Sequence, residues 1–181
     1  NFILALFLTT CAFLLKPYAL FFTLPLIYLA YEKFGFSFIK KWQLWVFLIA
    51  SVLPLSFWRI FMLSYPEGIA SNAWLFNEGN IRFKGAFFYW IFAERIGKLI
   101  LGYFGVAILI LGFLSKHKLK DYLFVLSFVL SSLIYIVVMA RGNVQHDYYQ
   151  ILIFPTIAIL LGLGATTLLR PLQNYNKVVS Y

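Results

Sequence analysis

The sequence predicts an all-α fold: a polytopic transmembrane helical bundle of about six spans, with one long external loop containing an interfacial helix. Three observations predict it. The 181 residues are 63% hydrophobic and only 12% charged, whereas soluble domains are typically about a quarter charged. A globule of this size cannot hide so much apolar surface, because a soluble domain must cover itself with polar groups. The apolar residues instead fall in long runs separated by short polar connections, and a run of about 20 such residues crosses a bilayer as a helix.

The chain opens at Asn1 inside an apolar run, with neither Met nor a basic flank. It therefore reads as a piece of a longer protein, and residues 2–15 as the tail of a membrane helix. Leu8-Thr9-Thr10-Cys11 loosely resembles a lipoprotein cleavage box, but the positive segment that should precede such a box is missing. Lys16-Pro17 ends this first helix, since Pro breaks the hydrogen-bond ladder yet fits the first turn of the next helix. A second span covers 17–31, and Glu32, Lys33, Lys40 and Lys41 mark the polar connection after it. A third span covers 43–63, with Pro54 as a kink and Arg59 near its far end.

Residues 64–98 form the long connection, which opens with the turn signal Ser64-Tyr65-Pro66-Glu67-Gly68. Within it, 86–97 are crowded with aromatics and end in charge, the composition of a helix lying in the headgroup layer. A fourth span covers 99–114, a basic loop 115–121 and a fifth span 122–140. The polar stretch Arg141 to Gln150 follows. A sixth span, 149–169, stops at Arg170-Pro171 and leaves 171–181 as a cytoplasmic tail. There is no internal repeat and no soluble-domain boundary, so 1–170 reads as one transmembrane domain.

Short loops rich in Lys and Arg stay cytoplasmic. The connections at 32–41 and 115–121 and the tail after 169 hold eight of the 15 basic residues and share one side. That side is placed in the cytoplasm of a multi-pass inner-membrane protein. Lys16, the 64–98 loop and the 141–148 turn are then external, and cations on the side where the rule disfavours them suit an anionic ligand. The net charge of +9 agrees with membrane lipids or anionic substrates as partners. Nucleic acid is set aside, because the basic residues are scattered between apolar runs. Cys11 is the only cysteine, so neither a disulfide nor a cysteine-based metal site is available.

The richest chemistry lies in Arg141-Gly142-Asn143-Val144-Gln145-His146-Asp147-Tyr148-Tyr149-Gln150. A cation, an imidazole, a carboxylate and two phenols are held beside the bilayer, which fits part of a site for a phosphate-bearing lipid. Each residue also has a plainer reading: Arg141 as a helix-end anchor, His146 as a headgroup-level side chain, the tyrosines as belt aromatics and Lys16 as a snorkelling lysine. When a sugar leaves a lipid phosphate, negative charge builds on that phosphate. Arg and Lys stabilise it best in a half-dehydrated site, and Tyr and His add hydrogen bonds. A carboxylate must also take the acceptor's proton. Asp147, Glu67, Glu78 and Glu94 are the external carboxylates, and none has a spacing that marks it as the base.

Four segments resemble a known family: Lys16-Pro17-Tyr18-Ala19-Leu20; Phe57-Trp58-Arg59 through Tyr65-Pro66-Glu67-Gly68; Glu94-Arg95-Ile96-Gly97; and His146-Asp147-Tyr148-Tyr149-Gln150 leading into Phe154-Pro155. Together they resemble the membrane-embedded GT-C glycosyltransferases. The nearest likeness is to glycosyltransferase family 39 proteins, akin to protein O-mannosyltransferases and lipid A aminoarabinose transferases. The resemblance implies a polyprenyl-phosphate sugar donor, transfer on the outer face of the cytoplasmic membrane, and a catalytic Asp in a first external loop outside this chain. No catalytic residue is therefore carried over, and the piece alone is expected to be inactive. The substrate-binding candidates are Lys16, Arg141, His146, Tyr148 and Tyr149, with Arg59 and Arg82 as weaker ones. No metal ligand is assigned, and a divalent cation stays open.

Three other classes compete. An O-antigen ligase or polymerase would use a diphosphate-linked oligosaccharide donor. A transporter or flippase for an anionic lipid would line a path with charge, which the nearly charge-free spans oppose. A structural membrane subunit would do no chemistry.

Overall fold

A computed structural model describes residues 1–65, 74–115 and 119–175, with backbone alone for 119 and 171–175. Every regular element among the described residues is helical. The expected turn at 66–68 with Glu67, the basic core of the 115–121 loop and the end of the tail lie outside the described residues. The chain divides into two compact units, Asn1–Asn72 and Ala73–Tyr181.

In the first unit, α1 (Phe2–Leu15) is capped by the Asn1 side chain, whose Oδ1 accepts from the Leu4 amide at 3.3 Å. It stops where expected, at Lys16 before Pro17. A 3-10 segment, Pro17–Thr23, leads into α2 (Leu24–Phe34). A second 3-10 segment, Gly35–Lys40, returns the chain to α3 (Trp42–Met62), which runs through Pro54. Helices α1 and α3 pack together, with Phe2 edge-on to Phe47 at 5.7 Å and Phe13, Ser51 and Leu55 buried.

The second unit opens with short pieces: α4 (Trp74–Asn77), a 3-10 turn Glu78–Phe83 and α5 (Gly85–Phe88). Helix α5 continues as a wide π-type helix, Tyr89–Ile100. The stretch 86–97, expected as an interfacial helix, lies within the helical segment Gly85–Ile100. The expected fourth span is bent instead of straight: α6 (Phe104–Leu114) leaves Gly85–Ile100 at 106°. The corner is a tight γ-turn on Tyr103 (φ 62°, ψ −47°), closed by the Phe104 amide donating to the Gly102 carbonyl at 2.8 Å. Then come α7 (Leu119–Val138), α8 (Ala140–Gln145), a 3-10 turn Asp147–Ile153 and α9 (Phe154–Tyr175). Helix α9 passes the expected stop at Arg170-Pro171.

Helix α6 lies against α9 at Gly112 and Gly164. A Cβ on Gly112 would run into the Leu160 carbonyl, and one on Gly164 into the Ile108 carbonyl. Small residues permit such backbone approach between apolar helices. Helix α9 is also tied to α7, where the Ser132 and Thr156 hydroxyls meet at 2.6 Å and Thr156 Oγ1 donates to the Phe128 carbonyl at 3.2 Å.

Four helical stretches are long and apolar enough to cross a membrane: Pro17–Lys40, Trp42–Met62, Lys120–Val138 and Asp147–Arg170. The bent pair makes a fifth if counted as one span, and Phe2–Leu15 is a shorter apolar helix. Between 6% and 28% of each apolar window is buried, and side chains such as Leu15 and Phe104 stand 84% and 92% exposed. Apolar surface of this extent needs an apolar surrounding.

Candidate functional site

The stretch singled out in the sequence folds into more than a loop. Helix α7 ends at Val138, and α8 carries Arg141, Gly142 and Asn143 through one and a half turns. His146 is extended (φ −124°, ψ 127°), and the 3-10 turn Asp147–Ile153 feeds α9. Buried amides lock this path. Gln150 Nε2 donates to the Asn143 carbonyl at 2.8 Å and to Asn143 Oδ1 at 3.2 Å, and Asn143 Nδ2 donates to the Met139 carbonyl at 3.0 Å. From α7, the buried Tyr135 hydroxyl donates to the Tyr149 carbonyl at 3.1 Å. These buried donors are satisfied by the turn and the end of α7, while Gln150 Oε1 is buried without a hydrogen-bond partner among the described residues.

Three guanidinium groups gather on this segment. Arg82 donates from Nη2 to the carbonyls of Phe76 at 3.2 Å and Val138 at 3.1 Å, stapling the end of α7 to the 74–83 pieces. Arg95 reaches from the π-type helix to the Val144 carbonyl at 3.3 Å and lies 5.5 Å from the centre of the Trp90 ring. Arg141 comes from α8 itself. The Nε atoms of all three are buried and have no hydrogen-bond partner among the described residues. The carboxylate facing Arg141 belongs to Glu78, with Oε2 at 3.8 Å from Nε, a charge contact beyond hydrogen-bonding reach. Asp147 is exposed one residue past His146, and an acidic neighbour of Arg141 is Glu78.

His146 sits in an aromatic cluster. Trp74 approaches it edge-on at 5.8 Å, and Tyr148 and Tyr149 stack near it at 5.2 and 6.0 Å. The two tyrosines part ways: Tyr148 is half exposed, while Tyr149 is buried with its ring against Gly142. A Cβ at position 142 would press on Leu75 and approach Tyr149, so glycine there lets α4, α8 and the tyrosine close together.

No family model, curated protein or solved structure matches the chain. The site's chemistry therefore rests on its own residues. Arg82, Arg141, His146, Tyr148 and Tyr149 all belong to the second unit and surround this turn. Lys16 and Arg59 belong to the first: Lys16 ends α1 with its ammonium 6.0 Å from the Tyr18 ring centre, and Arg59 is exposed in the last turn of α3. Glu94 is held by two donors, the Tyr89 hydroxyl at 2.8 Å and Lys98 Nζ at 3.3 Å. Among the described residues, no three His, Cys, Asp or Glu side chains gather as a metal-binding group.

Sequence reasoning missed Arg95 as a member of the site and Asn143, Gln150 and Tyr135 as its staples. The Arg95 contact spans 49 positions, and no local pattern marks it. Asn143 and Gln150 were inside the flagged stretch, but their seven-residue spacing has meaning only once a 3-10 turn brings them face to face.

Proposed function

We propose that this chain is part of a GT-C type glycosyltransferase resembling family 39, and that the turn on Arg141 holds the phosphate of a polyprenyl-phosphate sugar donor. One observation carries the reading: three arginines converge on 138–144 with buried Nε–H donors that have no hydrogen-bond partner among the described residues. Buried donors and positive charge favour an oxyanion, and phosphate is one of the anions whose geometry guanidinium groups match. His146 and Tyr148 flank the same turn and supply further hydrogen-bonding groups.

In this reading the sugar's bond to the phosphate oxygen breaks, and a new bond forms to an oxygen or nitrogen of a lipid, glycan or protein acceptor. The phosphate leaves with the negative charge, which Arg141 and Arg95 stabilise, and the acceptor's proton passes to a base that we assign to no residue here. Lys16 and Arg59 keep their place among the candidate cations. Six spans would put the Arg141 turn on the outer face of the cytoplasmic membrane, with Gly85–Ile100 lying in the headgroup layer.

Donor chemistry tests the class. Membranes containing the full-length protein should transfer labelled sugar from a polyprenyl monophosphate donor and release polyprenyl phosphate. Transfer only from a diphosphate-linked oligosaccharide would assign the ligase class instead. Uptake of anionic lipid with no covalent product would overturn the enzyme reading.

A further inference from the structure

The first unit holds an apolar cavity of about 440 Å³ between α1, α2 and α3, with Phe13, Ile27, Trp45 and Leu48 in its wall. A second cavity of about 500 Å³ adjoins it and shares Leu26, Ala30, Leu44 and Phe47. Both lie in the range of small-molecule sites, about 300–1,000 Å³. Their polar character differs by end. In the first, the Thr23 and Ser51 hydroxyls donate to carbonyls of their own chain neighbourhood, Leu20 at 2.9 Å and Leu48 at 3.0 Å, so they offer an incoming group little. In the second, Lys33, Lys41 and Gln43 stand in the wall.

The two lysines lie beside one ring. Lys33 Nζ is 5.2 Å and Lys41 Nζ 5.4 Å from the centre of the same ring, Phe34. The fold brings them there because the chain leaves α2 at Gly35 and returns through Gly35–Lys40 to α3. Two like charges beside one ring repel each other, and an anion near both in the cavity they line relieves that repulsion. Glu32 is the one carboxylate in 32–41, against Lys33, Lys40 and Lys41, so the connection keeps a positive balance.

We infer that this continuous groove binds an anionic phospholipid, with the phosphate at Lys33 and Lys41 and an acyl chain along Leu26, Ala30 and Phe47 into the apolar cavity. A free phosphate would use the lysines but leave the cavity without an occupant, and a neutral lipid would use the cavity but not the lysines. The site stands on the first unit alone and does not depend on the glycosyltransferase reading.

The test is lipid retention by the purified full-length protein, read by native mass spectrometry after exchange into mixed micelles of phosphatidylglycerol and phosphatidylcholine. Phosphatidylglycerol should be retained with about a tenfold preference, the scale of one charge-assisted contact. Lys33→Gln with Lys41→Gln should erase the preference and leave phosphatidylcholine retention unchanged. Both lysines are exposed, so folding should survive the change, and circular dichroism checks it. Ala30→Trp should reduce retention of both lipids by filling the groove. Equal retention of the two lipids, an undiminished preference in the double variant, or equally tight binding of glycerol phosphate without acyl chains would each overturn the inference.

Discussion

At the scale of single residues, the Arg141 turn depends on amides that never face a ligand. Gln150 and Asn143 are both almost fully buried and bonded to each other. Gln150→Ala leaves the Asn143 carbonyl and side chain short of a partner, and the expected cost is about 1–3 kcal/mol. Thermal unfolding in detergent should show a lowered midpoint. Tyr148 and Tyr149 make a contrasting pair. Tyr148→Phe keeps the ring of a half-exposed side chain and should change the unfolding midpoint little. Tyr149→Ala removes a buried ring packed on Gly142 and should lower it, by roughly 3–5 kcal/mol if the cavity does not collapse. Equal effects from the two changes would mean that the turn is not packed as described. The residue types here were legible in the sequence, because nothing else in the chain places Arg, His, Asp and two Tyr so close together. Which tyrosine is buried was not, since both positions read equally well as belt aromatics.

Among elements, the α6–α9 contact carries the clearest demand on sequence. Gly112 and Gly164 each meet a carbonyl of the opposite helix, with no room for a Cβ. Gly112→Leu should force the helices apart and leave a protein that inserts but unfolds at lower temperature. Gly162, with open space around its Cβ position, is the control: Gly162→Ala should be tolerated. The corner at Tyr103 is a second demand, because a side chain at φ 62° and ψ −47° is strained. Tyr103→Gly should raise stability by about 1–3 kcal/mol, with a higher unfolding midpoint as the readout. Several boundaries were legible because they rest on local chemistry: Lys16-Pro17 ends α1, and Lys40-Lys41 precede α3. The bend at 101–103 was not, because 99–114 reads as an unbroken apolar run and no Pro marks the corner. The glycine contact was also hidden, since it pairs positions about fifty residues apart and a single chain read in order gives no signal of that pairing.

For the whole molecule, composition alone called for an apolar surrounding, and the exposed faces of the helices agree with it. The side of the membrane is a separate matter. The proposed topology puts Asn80 outside and Lys120 in the cytoplasm. With Cys11 replaced by Ser, Asn80→Cys should react with an impermeant maleimide in intact cells, and Lys120→Cys only after permeabilisation. The reverse pattern would invert the topology and move the Arg141 turn to the other face. The central claim concerns the ligand of that turn, and the most direct measurement is the affinity of the purified full-length protein for polyprenyl phosphate, compared between the natural sequence and Arg141→Gln. Loss of a charged hydrogen-bonding partner should weaken binding about tenfold to a hundredfold with the unfolding midpoint unchanged. Equal affinity in the two proteins would contradict the account.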